Sequence, residues 1–173
     1  MVADDGTGQL AASVVIAIAM VTTVYMDIRY QRIPNWLTFP LMAVGLAWWA
    51  LDGGVEGLLT GLAGLVTGLG VFGLFALLGA MGTGDVKLMA GVGAMVGFPH
   101  IVAVLFLTAI AGGVEALVVV IWRGQARAAF RRFAAKLRPG FLGGKKEAPT
   151  QEPILIPYGV AVAAGTLWSL AYL

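Results

Sequence analysis

Two carboxylates stand out against a chain that is otherwise largely apolar. Asp27 lies in YMDIRYQRIPNWLT and Asp85 in GAMGTGDVKLMAGVGAMVG, each beside long hydrophobic runs. A carboxylate held inside a bilayer is costly, and for that reason is a functional candidate. Two carboxyls brought together share a proton, because both cannot ionise comfortably at short range. One then acts as general base on water while the other, protonated, polarises a scissile carbonyl. That is aspartyl-protease chemistry. It needs no metal, cysteine or serine, so no cofactor and no metal site are expected. The chain has no cysteine and one histidine, His100. Disulfides, thiolate metal sites and cysteine nucleophiles are thereby excluded.

The neighbours of Asp85 bear on the same chemistry. Gly82 and Gly84 lack a Cβ, so the backbone there can adopt unusual angles and a peptide can approach closely. Each acid also has a plainer role open to it. Asp85 can cap the helix it opens, and Asp27 can pair with Arg29 or Arg32 as a solvated loop charge. GTGDVK is a poor phosphate cradle, since a P-loop needs Gly-Lys-Ser/Thr after its glycines and Asp85 and Val86 intervene.

The elements that must position these acids follow from composition. The chain is 60% hydrophobic and 12% charged, with a mean hydropathy of +0.91. A soluble domain carries about twice that charge fraction. Apolar runs near the ~20 residues needed to cross a bilayer recur. The expected fold is an all-α polytopic membrane protein of one compact domain over residues 1–173, with about six spans. They are placed near Leu10–Met26, Trp36–Leu51, Val55–Ala80, Val86–Phe98, His100–Trp122 and Ile154–Leu173. MVADDGTGQ is acidic and lacks the cationic flank of a signal peptide, so the first run is expected to be retained.

The charges supply an orientation. Arg29 and Arg32 fall in the first loop, Lys87 at the third, and the other eight of the eleven Lys and Arg between Arg123 and Lys146, in the fifth. Odd loops share one side, which the positive-inside rule makes the cytoplasm. Asp4, Asp5, Asp52 and Glu56 then fall outside, and Asp27 and Asp85 lie at the same cytoplasmic face. From Asp85 to Phe98 a helix climbs only about 20 Å, which places Asp85 below that surface if the Phe98-Pro99-His100 turn reaches the outer interface. The basic isoelectric point of about 9.2 is thus a matter of topology, and no nucleic-acid partner is expected.

Other features are mostly structural. Gly57, Gly61, Gly64 and Gly68 are spaced four, three and four apart, a smooth helix face for close packing. Gly93 and Gly97 can serve similarly. In WRGQARAAFRRFAAKLRPG, Phe130, Phe133 and Leu137 share one helix face while Arg127, Arg131 and Arg138 lie elsewhere. A cytoplasmic amphipathic helix against anionic lipid headgroups is expected there, with a flexible loop from Pro139 to Pro153. Residues 122–153 thus form a basic cytoplasmic segment between spans five and six. Glu115 lies about 10 Å inside the cytoplasmic end of its span. It either borders the acid site or is protonated and hydrogen-bonded between helices. His100 is expected to be a solvated interface residue.

These residues resemble a known family. Gly82-Thr83-Gly84-Asp85 fits the GxGD pattern of intramembrane aspartyl proteases. Asp27-Ile28-Arg29 followed by Arg32-Ile33-Pro34-Asn35 resembles the first-aspartate motif of type IV prepilin peptidases, and Val86-Lys87-Leu88 continues their GxGDxKL form. Pro157-Tyr158-Gly159 is similar to a late motif of that family. The resemblance spans most of the chain. It implies cleavage of the leader from type IV pilin-like precursors at the cytoplasmic side of the plasma membrane, with Asp27 and Asp85 as the catalytic pair. It further implies that Gly82, Gly84 and Lys87 shape the site, and that Arg32 and Asn35 hold the first loop. Asn35 has the alternative role of N-cap to the second span, with Pro34 setting its entry.

Larger prepilin peptidases carry an N-terminal cytoplasmic region with paired cysteines, associated with N-methylation of the new pilin terminus. The present sequence has no cysteine, and so resembles the short, peptidase-only branch of Tad/Flp pilus systems or archaeal preflagellin peptidases. Presenilin-like proteases fit less well: Tyr25 and Asp27 are separated by Met26, and Pro-Ala-Leu does not occur. Outside enzymes, the alternative is a small ion- or proton-binding transporter bundle using Asp27, Asp85 and Glu115. It is disfavoured by the lack of an internal repeat and by two acids at one face. The pilin cleaved, its cut site and the oligomeric state are not encoded in any motif.

Overall fold

The computed structural model describes residues 6–78, 81–122 and 158–170, and every regular element among them is an α-helix. α1 spans Gly6–Tyr30, α2 Asn35–Leu77, α3 Thr83–Val96, α4 Ile101–Trp122 and α5 Tyr158–Leu170. Among the described residues, three stretches are long and apolar enough to cross a membrane: Leu10–Tyr30, Asn35–Leu77 and Ile101–Val118. Their outward residues are apolar too, including Val14, Ile18 and Val21 on α1 and Phe106, Ile110 and Val114 on α4. Such surfaces suit lipid tails, where a helix already satisfies its own backbone polar groups. The protein is an all-helical membrane protein.

The 43 residues of α2 would reach about 64 Å if straight, twice the ~30 Å of a bilayer core. α2 is not straight. Gly54 takes φ 58° and ψ −132°, a left-handed conformation open to a residue without a Cβ. The chain doubles back there. A Cβ at Gly57 would run into the Trp49 carbonyl, and one at Gly61 would lie 3.0 Å from Trp49 Cδ1 and 3.3 Å from Leu46 Cδ2. Residues 35–53 and 55–77 are thus two arms of a helical hairpin, with Asp52 and Glu56 exposed near its tip. The boundary expected between the second and third apolar runs coincides with this turn.

α3 is the buried element. Every residue from Leu88 to Gly97 is inaccessible, as expected of a helix that is apolar all round. Its 14 residues pack on both arms of α2 through glycine. A Cβ on Gly64 would strike the Gly93 carbonyl, and one on Gly93 the Gly64 carbonyl. A Cβ on Gly68 would lie 2.5 Å from Met89 O, and one on Gly45 2.6 Å from Ala94 C. In lipid the drive between helices is close van der Waals packing, which only small residues allow. Two hydrogen bonds add direction: Trp49 Nε1 donates to Met95 O at 3.2 Å, and Phe98 N–H to Thr60 O at 3.1 Å. The expected glycine face is therefore real but shared. Gly57 and Gly61 serve the other arm of α2, and Gly64 and Gly68 serve α3.

α1 and α5 complete the core. α1 buries Ile16, Ala19, Met20 and Thr23, and α5 buries Ala161, Val162, Ala163 and Thr166. α5 contacts both α1 and α3, and its Gly165 seats on Thr108 of α4. His100 is exposed in the turn between α3 and α4, as expected. The chain divides into two compact units, Met1–Gly112 with Pro157–Leu173, and Gly113–Ile156; the described part of the second is the C-terminal half of α4. α3 and α5, at 14 and 13 residues, are shorter than the ~20 of a full crossing. The amphipathic helix and loop expected after Trp122 lie outside the described residues.

The glycine contacts yield a stability test. Gly64→Ala forces α2 and α3 apart and is expected to cost about 1–3 kcal/mol, the usual range for overpacking. Gly70, whose Cβ would meet nothing within 4 Å, gains helix propensity as alanine, worth up to about 1 kcal/mol. Thermal unfolding in detergent should therefore lower the midpoint of the first variant and hold or raise that of the second.

Candidate active site

Asp27 belongs to the buried stripe of α1. Ile16, Met20, Thr23 and Asp27 are spaced four, three and four, and so lie along one helix face. Asp27 is 7% exposed. The expectation that Asp27 follows the first span is corrected: α1 continues through it to Tyr30. What ends α1 is a cap. Gln31 takes φ 50° and its N–H donates to Asp27 O at 2.9 Å, a left-handed closure of the last turn.

Pairing of Asp27 with Arg29 or Arg32 is not what the fold provides. Residues two apart on a helix do not face each other, and both arginines are exposed. The partner of Asp27 comes from the far end of the chain instead. Its Oδ2 accepts the backbone N–H of Gly159, in the first turn of α5, at 2.7 Å. The contact is tight enough that a Cβ on Gly159 would lie 2.6 Å from Asp27 Oδ2.

Asp85 is the third residue of α3, with Gly82 at the N-cap. Its Oδ2 accepts Gly82 N–H at 3.2 Å, one half of a capping box. The N-cap role foreseen for Asp85 is corrected: Gly82 holds that position, and Asp85, at the third helical residue, reaches back to it through Oδ2. Asp27 and Asp85 lie within coulombic range of each other, and α1, α3 and α5 make contacts pairwise.

The glycines and the first loop fall into place around Asp85. A Cβ on Gly84 would lie 3.3 Å from Ile33 Cβ, so the loop between α1 and α2 rests on the first turn of α3. Lys87 Nζ donates to Asn35 Oδ1 at 3.0 Å and stands 5.6 Å from the Phe39 ring centroid. Asn35 is not the N-cap of α2. Pro34 holds that position without a side-chain cap, which leaves the Asn35 amide to receive Lys87. Arg32 is exposed in the same loop and makes none of these bonds. Glu115 is partly buried on α4, in the second unit.

Gly159 is the residue that sequence reasoning passed over. Its only signal is a place in Pro157-Tyr158-Gly159. Chemically, the arrangement holds one oxygen of each carboxyl on a backbone amide, at a buried and a half-buried position, with the two acids in mutual range. Such a pair can hold one proton between them and exchange it with water or a bound carbonyl. Among the described residues no three His, Cys, Asp or Glu are grouped to hold a metal ion.

Known proteins are similar to this chain over much of its length. Residues 14–117 match the type IV leader peptidase family, a range that includes Asp27, Asn35, Asp85, Lys87 and Glu115 but stops before Gly159. A prepilin leader peptidase/N-methyltransferase of Neisseria gonorrhoeae is 30% identical over 113 residues, 61% of this chain and 39% of that protein. One from Aeromonas salmonicida strain A449 is 30% identical over 131 residues, covering 72% and 45%. One from Burkholderia pseudomallei strain 1026b is 31% identical over 127 residues, covering 70% and 41%. The chain spans less than half the length of these curated relatives. No solved structure matches it. With well over half of its length matched, and with both aspartates inside the match, the chain belongs to the type IV leader peptidase family.

Proposed function

We propose that the protein is a membrane-embedded aspartyl endopeptidase that removes the leader from type IV pilin-like precursors at the cytoplasmic membrane face. The observation that supports this is that Asp27, on α1, and Asp85, on α3, lie near enough for the charge of one to act on the other. Family membership supports the substrate class, since the relatives named above are prepilin leader peptidases.

In the proposed cycle one carboxylate takes a proton from a water lodged between the pair, and the other donates a hydrogen bond to the scissile carbonyl. The tetrahedral intermediate collapses as the proton passes to the departing amine, which restores the shared-proton state. Gly82 leaves the backbone beside Asp85 open to an extended substrate strand, and Gly84 lets Ile33 of the first loop pack on α3. Lys87 and Asn35 brace the first loop against α3. The support for the cytoplasmic orientation is the distribution of all eleven Lys and Arg over odd-numbered loops of a six-span topology. In that topology the two arms of α2 are separate crossings, and α3 and α5 cross within the bundle. The basic segment 122–153 would then meet anionic lipid headgroups. A plasma-membrane peptidase without methyltransferase activity is the corresponding expectation, supported by the absence of cysteine from these 173 residues.

The decisive assay incubates purified protein, in detergent or liposomes, with a pilin precursor and follows leader release by gel shift and mass spectrometry. Asp27→Asn and Asp85→Asn keep shape but cannot cycle a proton, and each is expected to lower cleavage by about 10²–10⁴-fold while the protein stays inserted and folded. Asn variants that cut as well as wild type would remove the dyad and raise the ion-binding alternative. Offered a methyl donor, the same assay should leave the new pilin terminus unmodified.

Two further outcomes separate bracing from chemistry. Asn35→Ala and Lys87→Met are each expected to slow cleavage by about tenfold, about 1.4 kcal/mol. The double variant should be little worse than either single one, because both remove the same bond. Glu115→Gln is expected to cost no more than a fewfold in the same assay, which would leave the carboxyl chemistry to Asp27 and Asp85.

A further inference from the structure

We propose that Gly159 is a positioning residue for Asp27: its backbone N–H fixes Oδ2 of the carboxyl, and the missing Cβ leaves the space in which that carboxyl sits. The inference rests on the reading of Asp27 as half of the catalytic pair. Two observations carry it. The N–H to Oδ2 distance is 2.7 Å at a buried position, between residues 132 apart in the chain. A Cβ built on Gly159 would fall 2.6 Å from Asp27 Oδ2, 3.0 Å from Cγ and 3.1 Å from Cβ. A Cβ 2.6 Å from Oδ2 can be relieved only by moving that carboxyl or the first turn of α5.

Two consequences follow from the geometry. The N–H occupies one acceptor site of Oδ2, which leaves Oδ1 the oxygen of Asp27 with no backbone donor on it among the described residues, for exchange with water. The rotation of the carboxyl is also set by α5 and not by α1, on which Asp27 itself resides. Asp85 differs in this respect, because its amide partner Gly82 is three residues away and belongs to its own helix cap. The two acids are thus held by different devices, one local and one supplied by the last described helix.

A displaced reacting group of about 1 Å can lower a rate by about 100-fold. The test is steady-state cleavage of a pilin precursor by the full chain in detergent, with kcat and KM determined separately per folded molecule. Gly159→Ala is expected to lower kcat by about ten- to a hundredfold and to leave KM within about twofold. A backbone ester at position 159, introduced as glycolic acid, removes the donor without adding bulk and should lower kcat in the same sense. Gly165→Ala disturbs the docking of the same helix on Thr108 without reaching Asp27. It should lower the folded fraction or the midpoint but not kcat per folded molecule.

An effect of Gly159→Ala confined to KM, an ester variant with wild-type kcat, or a Gly165→Ala variant that loses kcat equally would overturn the proposal. If Gly159→Ala fails to fold, the ester variant alone decides. Asp27→Asn, run alongside, separates the two levels of the argument. Full activity in that variant removes the catalytic pair, and the Gly159 role with it. An inactive Asp27→Asn beside a fully active Gly159 ester leaves the pair standing and removes only the positioning role.

Discussion

A carboxylate placed among apolar helices must have its oxygens accounted for, and the core is arranged around that requirement at Asp27. Leaving a buried charge without donors costs several kcal/mol, far more than a surface charge is ever worth. The buried stripe of α1 carries Asp27 inward with Ile16, Met20 and Thr23, and there the charged arginines of the first loop cannot follow. A backbone amide can. It brings a donor with no side chain, no titration and little entropy to lose, provided the residue supplying it is small enough to come close. Glycine at 159 satisfies that condition, and α5 satisfies the need for a rigid support.

The same economy of side chains governs α3. Its first turn holds Asp85, so the position of that carboxyl depends on how deeply α3 sinks between the arms of α2. Gly45, Gly64 and Gly68 let the α3 backbone approach to contact distance, which larger residues would prevent. The bonds from Trp49 to Met95 and from Phe98 to Thr60 fix the helix along its axis. Lys87 and Asn35 then tie the opposite end to the first loop. Packing near the turn between α3 and α4 and bracing near the acid thus act on one rigid element, and Asp85 rides on it.

Much of this was legible in the sequence, for identifiable reasons. A charge inside an apolar run is conspicuous, so Asp27 and Asp85 could be singled out by type alone. The break between the apolar runs ending at Leu51 and starting at Val55, with Asp52 and Glu56 placed outside, located the hairpin tip, although not the left-handed Gly54 that makes the turn. The spacing of Gly57, Gly61, Gly64 and Gly68 announced close packing, although not that its two halves face different partners. Local rules failed where a tertiary contact overrode them. Asp27 was expected beyond the helix because charges favour interfaces, yet the Gln31 cap, and not the first charge, ends α1. Asn35 was a credible N-cap by residue type, but Pro34 occupies that site and Lys87 claims the amide. Gly159 had only its place in Pro157-Tyr158-Gly159 to mark it, and nothing local pointed to its partner 132 residues away.

That separation also decides which interaction is cause and which is consequence. Closing a loop of this length costs about 4 kcal/mol in chain entropy, whereas a hydrogen bond to a charged group contributes about 1.5–3 kcal/mol. The bond between Gly159 and Asp27 therefore cannot by itself hold α5 in place. The holding is done by packing: Ala161, Val162 and Thr166 are buried along α5, and Gly165 seats against Thr108. The amide arrives at Asp27 already positioned, with its orientational cost met by helix contacts remote from the acids. Preorganisation of this kind is what the proposed water-activating role would require, because a donor fixed in advance needs no reorganisation when charge moves at the carboxyl. Asp85, capped by its own helix, is set as soon as α3 forms. Asp27 is set only when the last described helix has docked, so the geometry of the pair is a property of the assembled bundle and of neither motif alone.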